Sequence, residues 1–190
     1  LAVWDDAALA AHHEASTAVV AAKDAAFEAI RTAIAGDATL TEYDVQRLIA
    51  ERLATGGFET DHDAIVGVNA HSGDPHYAPV AGQSAAIRPG DWVLIDLWAR
   101  RPGDDNVYAD ITWVAAAAPV VEPRQQLVFD IVRRARDLIV ERLHDAWRLG
   151  EPVQGWQLDR LARDHIAAAG YGDRFLHRTG HSLSPGPAVH

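Results

Sequence analysis

Residues 87–114, IRPGDWVLIDLWARRPGDDNVYADITWV, constrain the fold of this chain more than any other stretch. Two runs, 92–100 and 107–115, are rich in β-branched and aromatic residues. Pro102, Gly103, Asp104 and Asp105 lie between them, the composition of a short hairpin loop. Placing Asp96 opposite Asp110 centres the register on Gly103. Side chains alternate between the faces of a strand, so Val93, Ile95, Leu97, Ala109, Ile111 and Trp113 then share one face, apolar enough to pack on helices. Leu94, Asp96, Trp98, Tyr108, Asp110 and Thr112 share the other. A solvated face would carry Lys, Arg, Glu and Ser instead, so this second face reads as the lining of a pocket.

Two aspartates facing each other in a pocket present an electrostatic problem. Opposed like charges destabilise a strand pair, and burial disfavours the ionised form. A divalent cation between them removes both difficulties, and carboxylate oxygens suit Mn²⁺ or Mg²⁺ well and Zn²⁺ adequately. The plainer alternative is a surface hairpin bearing two solvated acids.

At 190 residues the chain is long enough for one domain with a full core. Its net charge of −10 argues against nucleic acid and against anionic membranes as partners. The absence of cysteine excludes disulfides and leaves the compartment open, with the cytoplasm as default. No apolar run is long enough to span a bilayer, and no basic-then-apolar leader opens the chain. The sequence begins at Leu1 and contains no methionine, so as written it is not a primary translation product.

Before the hairpin, the pattern predicts a long helix, or two in tandem, over 5–35. Asp5 or Asp6 caps its start and Gly36 stops it. Val19, Val20, Phe27, Ile30 and Ile34 supply its apolar stripe, and His12 and His13 read as solvated. A second helix runs from its cap Thr41 to about residue 54, with Asp44 in the first turn. An extended piece, 64–70, precedes the loop HSGDPHYAP, which presents His71 and His76. After the hairpin come an amphipathic helix over 122–147, with Leu127, Ile131, Leu138, Ile139 and Leu143 on one side, and another over 154–169. Helix, helix, extended segment is thus an order met twice, which predicts two similar halves. The second half stops before any counterpart of the hairpin.

The last segment, FLHRTGHSLSPGPAVH, gathers His177, His181 and His190 among turn-forming residues. Neutral imidazole is a common nitrogen ligand for transition metals. GDWVLIDLWA, VYADIT and FLHRTGHSL in this order, with Pro75-His76 upstream, resemble the family of methionine aminopeptidases, Xaa-Pro aminopeptidases, prolidases and creatinase. The resemblance is nearest to its Xaa-Pro branch. It implies an α+β pita-bread fold of two pseudo-repeated helix–helix–strand halves, here one catalytic-type domain over 1–190 whose second half is incomplete. It implies two divalent metal ions, with manganese foremost and cobalt, zinc or iron as alternatives. Asp96, Asp110 and His181 match three of the family's ligands, with Asp110 bridging the metals. Two glutamate ligands would lie beyond His190. His76 and His177 match the histidines that hold substrate and stabilise the tetrahedral intermediate, and His190 matches a later histidine of that group.

The activity implied is hydrolysis of an N-terminal peptide bond of a peptide substrate, Xaa-Pro in type, by a metal-bound hydroxide. On that reading the 190 residues alone are inactive. Oligomeric state stays open, with a homodimer among the states allowed. Three departures bear on the substrate pocket: Leu97-Trp98 follow the first aspartate where the family commonly has Gly nearby, Trp113 stands where Arg often follows DIT, and Ser184 replaces the Gly of GHxxG. Two rival functions share the fold, a metal-free creatinase-like C–N hydrolase and an inactive peptide-binding module. Trp98 and Trp113 would suit the latter.

Overall fold

The computed structural model describes residues 4–189, and their element order is α1 (Asp6–Ala35), α2 (Glu42–Thr55), β1 (Ile65–Val68), β2 (Trp92–Ala99), β3 (Ala109–Ala116), α3 (Pro123–Leu149) and α4 (Gly155–Ala168). They divide into two compact units. The first takes the described residues up to Val120 together with those from Ser182 onward, and the second is Val121–His181.

Alanine-rich sequence makes α1 one continuous helix. The Asp5 carboxylate accepts the Ala8 amide at 2.8 Å at its start, and Gly36 ends it. Its buried stripe is mostly small: Ala8, Ala15, Val19, Ala22, Ala26 and Ile30. Val20, placed in the stripe by its apolarity, is instead exposed, because one residue along a helix turns the side chain about 100° away from Val19. On α2 the Thr41 hydroxyl accepts the Asp44 amide at 3.2 Å, while the Asp44 carboxylate accepts the Thr41 amide at 2.9 Å. This reciprocal cap fixes where the helix begins. Val45, Ile49 and Leu53 bury its inner face.

The sheet is antiparallel, in the order β1-β2-β3. One expectation fails here: Asp96 pairs with Thr112, and Asp110 pairs with Trp98. The ladder is therefore offset by two residues from a direct Asp96–Asp110 pair. Arg100 supplies the physical reason. It is buried, its guanidinium holds Glu59 at 2.9 Å and Asp104 at 2.8 Å, and it lies 4.8 Å over the Tyr108 ring. Its backbone pairs with Glu59 instead of continuing the hairpin ladder. The loop thus closes lower, with Gly103 at a left-handed φ of 113°. A two-residue offset preserves the side-chain faces. Val93, Ile95, Leu97, Ala99 and Ala109 accordingly bury against α1 and α2. Each large aliphatic among them contributes about 1.5–3 kcal/mol. Trp113 does not join them: it is 53% exposed, with the Lys23 ammonium 4.6 Å from its ring.

In the second unit, Glu122 caps α3, Pro123 occupies its first turn, and Gly150 ends it at a left-handed φ of 66°. Ile131, Ala135 and Ile139 pack against Ala162 and Ile166 of α4. Leu127 and Leu143 belong to the predicted stripe yet are exposed. Helix α4 has 14 residues against 27 in α3. At about 1.5 Å per residue it covers only the middle of its partner. Among the described residues, no helix is long and apolar enough to cross a membrane.

Candidate metal centre

Asp96 on β2 and Asp110 on β3 project from the same face of the hairpin, because Asp110 stands two positions from the direct partner of Asp96. Diagonal neighbours of this kind lie about 7–8 Å apart. Both aspartates are half-buried, and the Thr112 hydroxyl donates to Asp96 Oδ1 at 2.7 Å. Paired oxygen donors carrying two negative charges fit a hard divalent cation. The fit is chemical and partial: among the described residues, no group of three or more His, Cys, Asp or Glu side chains is placed to hold a metal ion. The first unit therefore supplies a carboxylate pair, not a closed ligand shell.

His76 is exposed on the loop after the 3₁₀ turn Asn69–Gly73, and its amide donates to Asp74 Oδ1 at 2.9 Å. That loop is anchored by a residue that carries no local signal of such a role. Glu42, in the first turn of α2, is fully buried. Its Oε1 accepts the Val68 amide at 2.7 Å and faces His71 Nδ1 at 2.8 Å; its Oε2 accepts the Tyr77 hydroxyl at 2.5 Å and the Ala85 amide at 2.8 Å. His71 also stacks on Tyr77, ring centroids 4.2 Å apart. Of the two histidines in the loop, His71 is thus committed to the fold and His76 remains at the surface. Glycine at 67 keeps the turn close, since a Cβ there would lie 2.9 Å from backbone atoms of His71 and Ser72.

His12 departs from its expected solvated role. Its Nδ1 lies 2.8 Å from the Tyr108 carbonyl, so it donates there, and its ring sits 4.7 Å from that of Trp4. The segment 182–189 runs beside the same part of the hairpin. Leu183 and Val189 pack with Trp98 and Tyr108, and the carbonyls of Leu183 and Gly186 accept from Trp4 and Arg100. Asp61 accepts the Trp98 indole N–H and, at 3.4 Å, the Val189 amide. Burial works to raise the Asp61 carboxyl, but these two donors and nearby His62 hold it below the usual carboxylate range.

His177 and His181 are exposed residues of the second unit. Arg163 on α4 shapes the segment bearing His177, donating to the carbonyls of Phe175 at 3.0 Å and His177 at 2.6 Å. Asp159 receives Arg163 at 2.6 Å and both the amide and hydroxyl of Thr179 at 2.9 Å. The Arg163 guanidinium and the Thr179 donors lower its carboxyl to about 2. The structure thus brings Asp96 and Asp110 together on one face and places His76 in their unit. His177 and His181 belong to the other unit, and His190 lies outside the described residues.

Comparison with known proteins converges on one class. Residues 10–190 match the model of metallopeptidase family M24, and the chain belongs to that family. The Xaa-Pro dipeptidase of Lactobacillus helveticus is 29% identical over 164 residues, which cover 86% of this chain and 39% of that protein. Among solved structures, a dipeptidase from Pyrococcus horikoshii OT3 gives a TM-score of 0.76 at 26% identity, over 99% of this chain and 47% of that one. The dipeptidase PepE of Mycobacterium ulcerans gives 0.75 at 26% identity, over 99% and 45%. The fold is therefore the pita-bread fold of the prolidases and aminopeptidases P, and the chain spans about 40% of its curated relative's length.

Proposed function

We propose that this chain carries part of the active site of a metal-dependent peptidase of Xaa-Pro dipeptidase type, acting on a short peptide with a free N-terminus. The observation that carries the proposal is the half-buried pair Asp96 and Asp110 on one hairpin face, in a member of a metallopeptidase family whose relatives include an Xaa-Pro dipeptidase. The two aspartates and His181 would hold divalent cations, manganese foremost, with cobalt, zinc or iron as alternatives. Such cations polarise a carbonyl and make water nucleophilic near neutral pH.

The remaining work falls to side chains of this chain. Thr112 fixes the Asp96 carboxylate through its 2.7 Å hydrogen bond, so that one lone-pair direction is already committed. His76 and His177, with His190 as a third, would donate hydrogen bonds to the oxygen on which charge develops. Such donors act most strongly when fixed in advance. Glu42 ties down the backbone at Val68 and Ala85, the two ends of the segment that carries His76, and Arg163 holds the His177 carbonyl. The rival reading as a peptide-binding module would draw on Trp98 and Trp113. Trp98 is 8% exposed, and Trp113 projects from the opposite face.

The test is hydrolysis of Xaa-Pro dipeptides by the natural full-length protein, before and after chelation and on readdition of Mn²⁺. Turnover that disappears with the metal and returns with it is expected. Turnover indifferent to chelation, or none on any Xaa-Pro dipeptide, contradicts the proposal.

A further inference from the structure

Ser182, Ser184, Pro185, Gly186 and Pro187 give residues 182–189 the composition of a loose turn. The segment is nevertheless fastened along its length. The Trp4 indole donates to the Leu183 carbonyl at 3.0 Å, Arg100 donates to the Gly186 carbonyl, and Asp61 accepts the Val189 amide at 3.4 Å. Leu183 and Val189 also pack with Trp98 and Tyr108, leaving Val189 5% exposed. Arg100 has other duties, since it holds Glu59 and Asp104 around the hairpin loop. Asp61 lies between α2 and β1, outside both. One of its oxygens takes the Trp98 indole N–H; the other takes the Val189 amide, with His62 Nδ1 3.6 Å away. It thereby ties the segment to β2, the strand that carries Asp96. A carboxylate suits this place because both of its oxygens accept. An amide in its stead would turn an NH₂ group toward one of the two donors.

Val189 is followed directly by His190, one of the histidines proposed above to donate to developing charge. Holding the Val189 amide and burying its side chain restricts the chain at the bond that leads to His190. Donors of this kind act by being in place before charge develops. A displacement of about 1 Å at such a group costs about 10²-fold in rate. We propose that Asp61 is a positioning residue: by fastening Val189 to Trp98, it fixes where His190 meets the substrate. The inference rests on the peptidase reading and on the part which that reading gives His190. Asp61 acts only through the segment it holds, which sets it apart from the aspartates and histidines of the site.

The experiment is a double-mutant cycle on the natural full-length protein, loaded with Mn²⁺. It measures kcat and KM for Ala-Pro and Leu-Pro in the wild type, Asp61→Asn, His190→Ala and the double variant. Manganese content and circular dichroism are followed alongside. His190→Ala should lower kcat by about 10²-fold or more. Asp61→Asn should lower it by about 10-fold or more, with KM changed by less than about 2-fold and manganese content unchanged. Added to His190→Ala, the same substitution should change kcat by less than about 2-fold, because nothing remains to be positioned. A merely structural role would repeat its loss in both backgrounds, and that result overturns the inference. So does unchanged kcat in folded Asp61→Asn or in His190→Ala, and so does loss of manganese together with activity in Asp61→Asn. Should Asp61→Asn fail to fold, Trp98→Phe, which removes the indole donor and keeps a ring, replaces it in the cycle. A loss of about 3-fold or more confined to the His190 background is then expected, and no loss there, or an equal loss in both, overturns the inference. A wild type that turns over neither dipeptide overturns the peptidase reading and this inference with it, whereas the other contrary results leave that reading standing.

Discussion

Glu42 and the Asp96–Asp110 pair lie in the same unit, yet Glu42 is shut off from solvent while both aspartates are half-buried. Four donors from β1, the 3₁₀ turn and the loop after it converge on the Glu42 carboxylate. A buried carboxylate is tolerable only when its lone pairs are met in this way, so Glu42 is spent on structure. The aspartates stand on a sheet face that solvent still reaches. Charge and spacing along the chain do not separate these carboxylates; burial does.

That contrast can be sharpened from the site side first. His177→Ala and His76→Ala in the natural full-length protein should each lower kcat by about 10²-fold or more if they stabilise developing charge. Manganese content should stay constant. Loss of metal together with activity would show that these residues belong to the ligand set instead.

On the structural side, Glu42→Ala should cost about 3 kcal/mol or more. The buried Val68 amide and the half-buried Ala85 amide would be left without an acceptor, in addition to the losses at His71 and Tyr77. Denaturant unfolding measures this, and a cost below about 1 kcal/mol would break the comparison. Gly67→Ala should cost about 1–3 kcal/mol by the same assay, because its methyl group meets backbone at 2.9 Å. Thr41→Ala should cost about 1 kcal/mol through loss of the reciprocal cap.

The smallest effect concerns pH. The folded-state carboxyl of Asp159 lies at about 2, below its ordinary 3.8. A group depressed in the folded state stabilises it above the unfolded value and loses that contribution as pH falls through the folded one. The difference in unfolding midpoint between wild type and Asp159→Asn should therefore be full above about pH 4 and should shrink toward pH 2. A difference that stays constant over that window would mean that Asp159 contributes nothing through its charge.

Local chemistry made much of this fold readable in advance. The Asp5 cap, the Thr41–Asp44 box, the two strands and the shared face of Asp96 and Asp110 all follow from neighbours within a few residues. What escaped depends on distant partners. Register turned on Arg100, which is buried by contacts with Glu59 and Tyr108. Glu42 looked like an ordinary acidic residue of a first helical turn, because its donors come from residues 68–85. Leu127 and Leu143 obey helical spacing and are exposed all the same, since a stripe is buried only where a partner is long enough to cover it. His12 read as solvated because nothing near it in sequence announces the Tyr108 carbonyl.

The central proposal is that Asp96 and Asp110 would bind the metal while Glu42 serves the fold. Calorimetric titration of Mn²⁺ into the natural full-length protein and its Asp96→Asn, Asp110→Asn and Glu42→Gln variants tests it directly. Asparagine keeps the shape of aspartate but removes the charge that offsets the cation. Both Asp variants should bind Mn²⁺ about 10²-fold more weakly or not measurably, whereas folded Glu42→Gln should bind it as the wild type does, with lowered stability. Unchanged Mn²⁺ affinity in both Asp variants would contradict the account.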